Sequence, residues 1–553
     1  MNQRASGILF HPTSLFNQFP IGDLGPAAIA FADFMVEGGQ DWWQMLPIGP
    51  VGQENSPYQS LSAFAGNPLL VSPDRLREQG LLDVDDIAHQ VSAVGGNVNF
   101  PAAKSLKLRY LKKAFERFDK SCHGEHQSDF DAFAIKQSFW LDDYSLFSAI
   151  EEHEGTSEWP RWNKELRTRQ PDAIGRAQKC FANDIRFHQF VQWQFSVQWE
   201  KLKAYCTSKG ISLIGDVPLF VAHQSADVWA HPGLFKLDAV GNPTVVAGVP
   251  PDYYSRTGQV WDVPVYRWDA LQEQGYRWWI ERLRIASKRF DVNRLDHFIG
   301  FVRTYEVPAH ASTAVNGHYE PGGGASFFKA ARDALGLLPF IADDLGAITP
   351  EVIALMDHFQ IPGTRVLQFE FGSILDGNSA LPEQLPVKSV VYTGTHDNDT
   401  TAGWYWKLPS TQRAALQQLL ETNSREIVWA IIGKALASKG ETVIVPMQDL
   451  LELGSVARMN SPGIAKGNWQ WRLKDGALTK ELAHRLLRTT IAFGRQSIRE
   501  TQPSRQSPDE IPQQQIAKRA YDFYERRGRQ NGRDKQDWQL AERELKMKAS
   551  DDK

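Results

Sequence analysis

The feature of this sequence that most restricts its fold is a series of eight short apolar runs, several of which end in polar residues. Helix-like segments alternate with the later runs, for example at 275–288, 350–358, 411–437 and 480–495. A strand followed by a helix, repeated eight times, predicts an α/β fold, the (β/α)8 barrel. The runs expected to form its parallel strands are 7–12, 42–48, 212–221, 291–298, 339–343, 365–371, 390–395 and 442–448.

The length of 553 residues leaves room for one barrel, predicted over 1–498, together with inserted and appended segments. The stretch between the second and third runs, about 49–205, is too long for a loop and carries helical patterns at 103–118 and 184–205, so we expect an inserted helical subdomain. Residues 499–515, rich in Gln, Pro and Ser, are typical of a linker. Residues 516–553 then form a small module of two predicted helices, whose role the sequence leaves open.

Charge and cysteine content exclude several classes of partner and compartment. A net charge of −4 gives no basic excess, which argues against nucleic acid as a partner. No apolar stretch approaches the length of a membrane span, and the N-terminus lacks a signal-peptide core. The three cysteines have neither metal-type nor redox-type spacing, so we expect reduced thiols and a cytoplasmic location. Oligomeric state is open.

Three acidic motifs, each at the end of an apolar run, carry the strongest functional signal. They are Arg294-Leu295-Asp296-His297, Ile341-Ala342-Asp343-Asp344-Leu345-Gly346 and Thr395-His396-Asp397-Asn398-Asp399. Because parallel barrel strands end at one rim, Asp296, Asp343 and Asp397 should converge there, as the acids of a retaining glycosidase or transglycosylase do. An arginine two residues before Asp296 would lie on the same strand face, where it could orient the carboxylate and lower its pKa. Taken singly, the first motif also fits a buried ion pair, and the third a helix-capping cluster.

Two further stretches are candidates for substrate contact. Asp216 belongs to Gly215-Asp216-Val217-Pro218, which is expected to end the third strand, and helix capping is an equal alternative to a functional role. The polar, aromatic stretch 249–261 contains two prolines and is predicted to form a loop that grips substrate, with a plain surface loop as the alternative. Its candidate binding residues are Asp252, Tyr253, Gln259 and Trp261.

Six stretches, at 56–59, 215–218, 248–253, 294–297, 341–346 and 394–400, resemble the amylomaltases, the 4-α-glucanotransferases of glycoside hydrolase family 77. The resemblance covers about residues 5–495. It implies a (β/α)8 barrel related to the α-amylases, substrates that are maltooligosaccharides and 1,4-α-glucans, and neither metal nor organic cofactor. It also implies retaining double displacement, in which an enzyme carboxylate first forms a covalent glucosyl intermediate.

The roles implied by the resemblance fall on individual positions. Asp296 matches the nucleophile, Asp343 stands at the acid/base position, and Asp397 matches the acid that stabilises the transition state. Tyr58 matches a residue that stacks on the sugar next to the cleaved bond, and Asp216 a structural acid. The other implied substrate contacts are Arg294, which orients the nucleophile, His297, His396, which binds sugar hydroxyls, Asn460, and Trp261 with the 250–254 stretch, which close over the acceptor.

Asp343 departs from the family, which places a glutamate at this position. The shorter side chain withdraws the carboxyl by roughly one C–C bond, about 1.5 Å, and a misplacement on the order of 1 Å can cost on the order of 100-fold in rate. The leading hypothesis is a 4-α-glucanotransferase. A plain α-glucan hydrolase and a glucan-binding protein with little turnover are the alternatives.

Overall fold

The computed structural model describes residues 4–88, 96–120, 125–251, 255–377, 385–496, 513–527 and 534–551. Each of the eight apolar runs overlaps a strand, but the prediction of a strand at 365–371 is wrong for most of that run. Only 365 and 366 lie in a strand, and the chain then continues as a helix over Leu367–Leu375, whose buried residues 367, 368 and 371 recur at helical spacing. The strands in these ranges are β1 (Ala5–Leu9), β2 (Trp42–Gln44), β3 (Ser212–Val217), β4 (Val245–Val249), β5 (Gln259–Pro264), β6 (Val292–Leu295), β7 (Arg303–Pro308), β8 (His318–Pro321), β9 (Phe340–Ala342), β10 (Gly363–Val366), β11 (Ser389–Tyr392) and β12 (Thr442–Pro446).

The eight predicted strands form one parallel sheet in the order β10-β11-β12-β1-β2-β3-β6-β9. The sheet closes on itself between its two outer strands. The Ala342 N–H donates to the Pro362 carbonyl at 2.8 Å, and the Thr364 hydroxyl donates to the Ala342 carbonyl at 2.9 Å. This closure leaves no free sheet edge and confirms the (β/α)8 barrel.

Helices surround the barrel, and further helices lie in the insertion between β2 and β3. The helices before β6 are α1 (Pro26–Glu37), α2 (Pro73–Glu78), α3 (Val84–Ala88), α4 (Phe100–Lys120), α5 (Glu125–Glu154), α6 (Lys164–Arg167), α7 (Pro171–Cys180), α8 (Ala182–Ser208), α9 (Ala226–Ala230), α10 (Trp268–Glu273) and α11 (Arg277–Arg289). Those after it are α12 (Ile299–Val302), α13 (Gly324–Leu335), α14 (Pro350–Phe359), α15 (Leu367–Leu375), α16 (Thr401–Lys407), α17 (Ser410–Leu419), α18 (Ile427–Ala437), α19 (Met447–Leu450), α20 (Lys480–Ala492), α21 (Gln513–Arg526) and α22 (Asp534–Asp551).

The single long helix expected over 411–437 is two helices, α17 and α18. The chain turns between them at Glu421, whose φ of 50° is left-handed, and the Asn423 side chain accepts a hydrogen bond from the Arg425 N–H. Asparagine side chains favour such local bonds over helix continuation. The apolar periodicity therefore identified the helical faces but not the turn between them.

A second sheet was not expected from the sequence. It is antiparallel, in the order β5-β4-β7-β8, and it stands between β3 and β9 along the chain. The predicted substrate loop at 249–261 is therefore partly a hairpin, with Gln259 and Trp261 on β5. The two prolines and the polar, aromatic composition of this stretch indicated a loop, whereas pairing with β7 gives β4 a partner that local propensity does not reveal.

A buried ion pair joins the helical insertion to the loop before α1. The Lys107 ammonium donates to Asp23 Oδ2 at 2.7 Å and to the Val71 carbonyl at 2.7 Å, and both side chains are almost fully buried. Removing one partner leaves the other charge buried without compensation. The pair therefore fixes where α4 meets the barrel.

Lys107→Met is accordingly expected to lower the free energy of unfolding by about 3–5 kcal/mol. The matched control is Lys113→Met on the same helix. Lys113 pairs with Asp86 but its own side chain is half-exposed, so we expect a loss of about 1 kcal/mol or less. Denaturant unfolding of both variants measures the difference. Equal losses in the two would contradict a special role for the buried pair.

Helices α21 and α22 pack against each other and, through α21, against α20. The Arg519 guanidinium donates to both oxygens of Glu544, at 2.6 and 3.0 Å, and Arg527 pairs with Asp537. Helix α21 begins at Gln513, earlier than the predicted 516. Most of the predicted linker, 499–515, lies outside the described residues. In the described part of the chain, every helix is too short or too polar to cross a bilayer.

Candidate active site

The carboxyl ends of β3, β6, β9 and β11 bring four aspartates to one rim of the barrel. Asp216 is the second-last residue of β3, Asp296 follows β6, Asp343 follows β9 and Asp397 comes soon after β11. Strands β3, β6 and β9 are direct neighbours, which places Asp216, Asp296 and Asp343 side by side. The convergence predicted from the three motifs is present in the structure.

Arg294 links three of these carboxylates. Its Nη1 donates to both oxygens of Asp216, at 2.9 and 2.7 Å, and to Asp296 Oδ1 at 3.0 Å. Its Nη2 lies 2.8 Å from Asp343 Oδ2. A planar guanidinium with fixed donors is suited to this task, because it holds several carboxylates at set angles. The nucleophile candidate and the acid/base candidate therefore flank one group, in keeping with the close carboxyl pair, about 5–5.5 Å apart, of retaining enzymes.

The two oxygens of Asp343 have different surroundings. Oδ2 accepts from Arg294 and from the backbone N–H of His297, at 3.1 Å. Oδ1 is buried and has no hydrogen-bond partner within the described residues. The Asp343 carboxyl therefore rests against Arg294 through Oδ2, and Oδ1 is the oxygen that makes no hydrogen bond within the described residues.

The neighbouring Asp344 cannot take over this role. Its Oδ1 accepts from the Thr364 N–H at 2.6 Å and its Oδ2 from Arg365 at 2.9 Å. Successive residues of an extended chain point to opposite sides, and these contacts place Asp344 in the seam between β9 and β10. Its carboxylate completes the barrel closure.

Asp397 is held by residues from the loops after β11 and β12. Asn460 Nδ2 donates to Asp397 Oδ1 at 2.6 Å, and His396 Nε2 lies 3.4 Å from Oδ2. Arg458 donates to the Asp397 carbonyl at 2.5 Å. The capping alternative for this motif applies to other residues, since the Thr400 hydroxyl caps α16 by accepting from the Gly403 N–H. The Asp397 side chain remains 43% exposed and open to a ligand.

Tyr58 joins the two halves of the site. Its hydroxyl donates to Asp216 Oδ2 at 2.7 Å, and its ring stacks on His396 with centroids 5.0 Å apart and planes at 11°. Burial and the Asp216 carboxylate raise the Tyr58 pKa well above its usual value, which keeps the hydroxyl a donor. Asp216 is therefore fully bonded within the protein, to Tyr58 and Arg294.

Trp261 and His297 form the wall beside Asp343. Their rings meet edge to face with centroids 4.8 Å apart, and Trp261 Nε1 donates to Gln259 at 3.2 Å. His297 has a left-handed φ of 49°, which turns its N–H toward Asp343. Burial lowers its pKa to about 4, so the ring is neutral near pH 7. The predicted contacts Asp252 and Tyr253 lie outside the described residues.

The pKa of Asp296 is raised well above its ordinary value. Burial is the largest cause, and the nearby carboxylates of Asp216, Asp343 and Asp397 add to it, while Arg294 opposes the shift. The prediction that Arg294 lies in contact with Asp296 is confirmed, but the expected lowering of the pKa is outweighed. One guanidinium shared by several acids cannot neutralise all of them. A positive charge developing on a bound sugar would favour the ionised carboxylate.

Three residues at the site were missed by sequence reasoning. Arg458 donates a hydrogen bond to the Asp397 carbonyl, and His11 is buried near His396. The ring centroids of Trp469 and Tyr58 are 5.7 Å apart. Burial lowers the pKa of His11 to about 3, with His396 adding to the shift. The spacing Arg458-Met459-Asn460 was the available signal for the first of them. The other two depend on loops that only the fold brings together.

Asn460→Ala is expected to lower kcat/KM about 10- to 100-fold, because a hydrogen bond to a charged group contributes about 1.5–3 kcal/mol. Activity with maltotriose measures the change. The control is Asn423→Ala, a turn residue between α17 and α18, remote along the chain from every residue of the site. A loss smaller than about twofold for Asn460→Ala would show that the bond to Asp397 is dispensable.

A closed parallel barrel with acids and one arginine at its carboxyl rim defines an enzyme class that breaks or exchanges glycosidic bonds. Comparison with known proteins narrows this class. A family model described as 4-alpha-glucanotransferase matches residues 10–479, and a model for a protein of unknown function (DUF2934) matches residues 512–546. The chain belongs to the 4-α-glucanotransferase family, glycoside hydrolase family 77.

Individual relatives agree with this assignment. The 4-alpha-glucanotransferase of Thermus thermophilus is 44% identical over 491 residues, covering 87% of this chain and 97% of the relative. That of Synechocystis sp. is 43% identical over 499 residues, covering 90% and 99%. A solved amylomaltase from Streptococcus agalactiae, in complex with acarbose, has a TM-score of 0.86 at 35% identity and covers 90% of this chain and 100% of that one. The activity of this chain is that of a 4-α-glucanotransferase.

Proposed function

We propose that this chain transfers segments of 1,4-α-glucan between maltooligosaccharides by double displacement, with Asp296 as nucleophile, Asp343 as acid/base and Asp397 as the supporting acid. The observation that carries the assignment is the Arg294 guanidinium, which contacts both Asp296 and Asp343. It fixes the nucleophile and the acid/base relative to each other. The acarbose complex of the Streptococcus agalactiae relative supports an oligosaccharide as ligand.

In the first step, an Asp296 oxygen attacks the anomeric carbon while the bond from that carbon to the departing glucan oxygen breaks. Asp343 transfers its proton to this oxygen. Since Asp343 Oδ2 already accepts from two donors, the proton travels on Oδ1. In the second step, the 4-hydroxyl of an acceptor sugar gives its proton to Asp343. The oxygen of this hydroxyl bonds to the anomeric carbon as the bond from that carbon to Asp296 breaks.

The remaining residues bind and orient sugar. Asp397, with Asn460 and His396, is placed to accept from ring hydroxyls, a contact that strengthens as the sugar flattens. Tyr58 and Trp261 offer aromatic faces on either side of the carboxylate group. We also propose substrate contacts for Asp252, Tyr253 and Gln259. The proposed location of the protein is the cytoplasm. Exclusion of water by these rings would favour an acceptor sugar over hydrolysis.

Incubation with maltotriose tests the proposal. Transfer breaks one glycosidic bond for each bond it makes, so glucose and oligosaccharides longer than maltotriose should form while the number of reducing ends stays constant. A steady rise in reducing ends without longer products would instead identify a hydrolase. Absence of both glucose and longer products would contradict the proposed transfer.

A further inference from the structure

A cavity of about 60 Å³ lies beside the end of β3, where Asp216 forms part of its wall. It is bounded by β3, β6, the loop after β2 and one face of α11. That face presents Arg282, Ile285, Ala286 and Arg289, which recur at helical spacing. The cavity therefore receives two guanidinium-bearing residues from a single helix.

The cavity wall also contains a polar side chain, that of Asn293, without hydrogen-bond partners among the described residues. Asn293, on β6, is fully buried, and neither its amide nitrogen nor its amide oxygen has a hydrogen-bond partner in the described part of the chain. A buried amide without partners costs free energy of about 1–3 kcal/mol. Such a group points to a ligand that accepts or donates hydrogen bonds within the cavity.

Among the described residues, no acid lies in direct contact with either arginine, although the carboxylates of Asp227 and Asp296 act on Arg282 from farther away. Arg282 is buried, donates to the Leu219 carbonyl at 3.1 Å and lies over the Trp279 ring. Arg289 lies over the Phe195 ring, and burial lowers its pKa to about 10. Within the described ranges, neither makes an ion pair with a carboxylate. A guanidinium withdrawn from water in this way is stabilised by an anion.

Among the described residues that line the cavity, the one acid is Asp216, and its charge is already neutralised. Asp216 accepts from Arg294 and from Tyr58 on the opposite side of β3. The serines of the wall are also bonded: Ser60 donates to the Pro50 and Ser62 carbonyls, and the Ser62 hydroxyl accepts from the Phe64 N–H. The groups left to bind a ligand are thus the unpartnered Asn293 amide and the guanidiniums of Arg282 and Arg289, whose N–H donors match an anion.

We propose that this cavity, lined by Arg282, Arg289 and Asn293, binds a small inorganic anion of the size of chloride. Bound there, the anion compensates the two guanidiniums, accepts from the Asn293 amide and ties α11 to β6 directly beside Arg294. The site adjoins the glucan site through Asp216, which lines the cavity, and the anion takes no part in the proposed transfer steps.

Bromide provides the direct test, because it replaces chloride and scatters anomalously. Crystals of the full chain soaked in sodium bromide should show an anomalous peak between Arg289 and Asn293. A cavity without such a peak, in crystals that show bromide elsewhere on the surface, would overturn the proposal.

Thermal unfolding gives the test in solution, comparing sodium chloride with sodium gluconate at equal ionic strength. Chloride should raise the unfolding midpoint of the parent protein. The increment should vanish in Arg289→Met and in Asn293→Val, and it should persist in Lys288→Met, a control for the exposed cation beside Arg289 on the same helix. Because Asn293→Val removes the unpaired amide, it should itself fold stably in gluconate. Equal midpoints of the parent in the two salts, or loss of the increment in Lys288→Met, would contradict the anion site.

Discussion

Asp296→Asn is expected to abolish transfer, lowering kcat by on the order of 10⁴- to 10⁶-fold, the range seen when a covalent nucleophile is removed. The amide that replaces the carboxylate cannot bond to the anomeric carbon, whereas Arg294 would still contact its oxygen. Product formation from maltotriose measures the loss. A residual rate within about 100-fold of the parent would show that another group forms the covalent intermediate.

The same variant should be more stable than the parent, which separates lost chemistry from lost folding. Burial and neighbouring acids raise the pKa of Asp296, so its ionised form is less favourable in the folded than in the unfolded chain. This unfavourable contribution is absent below the ordinary carboxylate pKa and grows as the pH rises above it. Asp296→Asn should therefore unfold at a higher temperature than the parent near pH 7 and at the same temperature near pH 3.

Asp343→Glu is expected to raise the rate with maltotriose by on the order of 100-fold. The added methylene would carry the carboxyl beyond its present position against Arg294 and the His297 N–H, toward the departing oxygen. Asp333→Glu, which adds the same methylene to an exposed ion pair on α13, serves as the folded control and should leave the rate unchanged. An unchanged rate in Asp343→Glu would show that the backbone has already adapted to the shorter acid.

A second donor separates proton transfer from other causes. Fluoride leaves without being protonated, so an α-maltosyl fluoride needs no acid in the first step. The initial burst of fluoride should be similar for the parent and Asp343→Glu, while their rates with maltotriose differ. If the burst rose as much as the maltotriose rate, the gain would come from positioning of Asp296 and not from the acid.

The elements of the barrel follow from local patterns. All eight strands and the position of Asp296, Asp343 and Asp397 at their ends could be predicted, because strand burial and helix periodicity are written in short stretches of sequence. The antiparallel hairpin of β4 and β5 could not be. Its strands are stabilised by pairing with each other and with β7, some 50 residues later, and local propensity favoured a loop.

Local sequence patterns were enough to predict which acids reach the rim, and the resemblance showed that Asp343 is one methylene shorter than the family's glutamate. What each acid contacts follows only from the folded chain: Arg294 is shared among Asp216, Asp296 and Asp343, and Asn460 is bonded to Asp397. The fold also raises the pKa of Asp296 although an arginine adjoins it. The physical reason is that element type depends on neighbours along the chain. Hydrogen bonds, burial and charge coupling depend on neighbours in space, which barrel closure brings together.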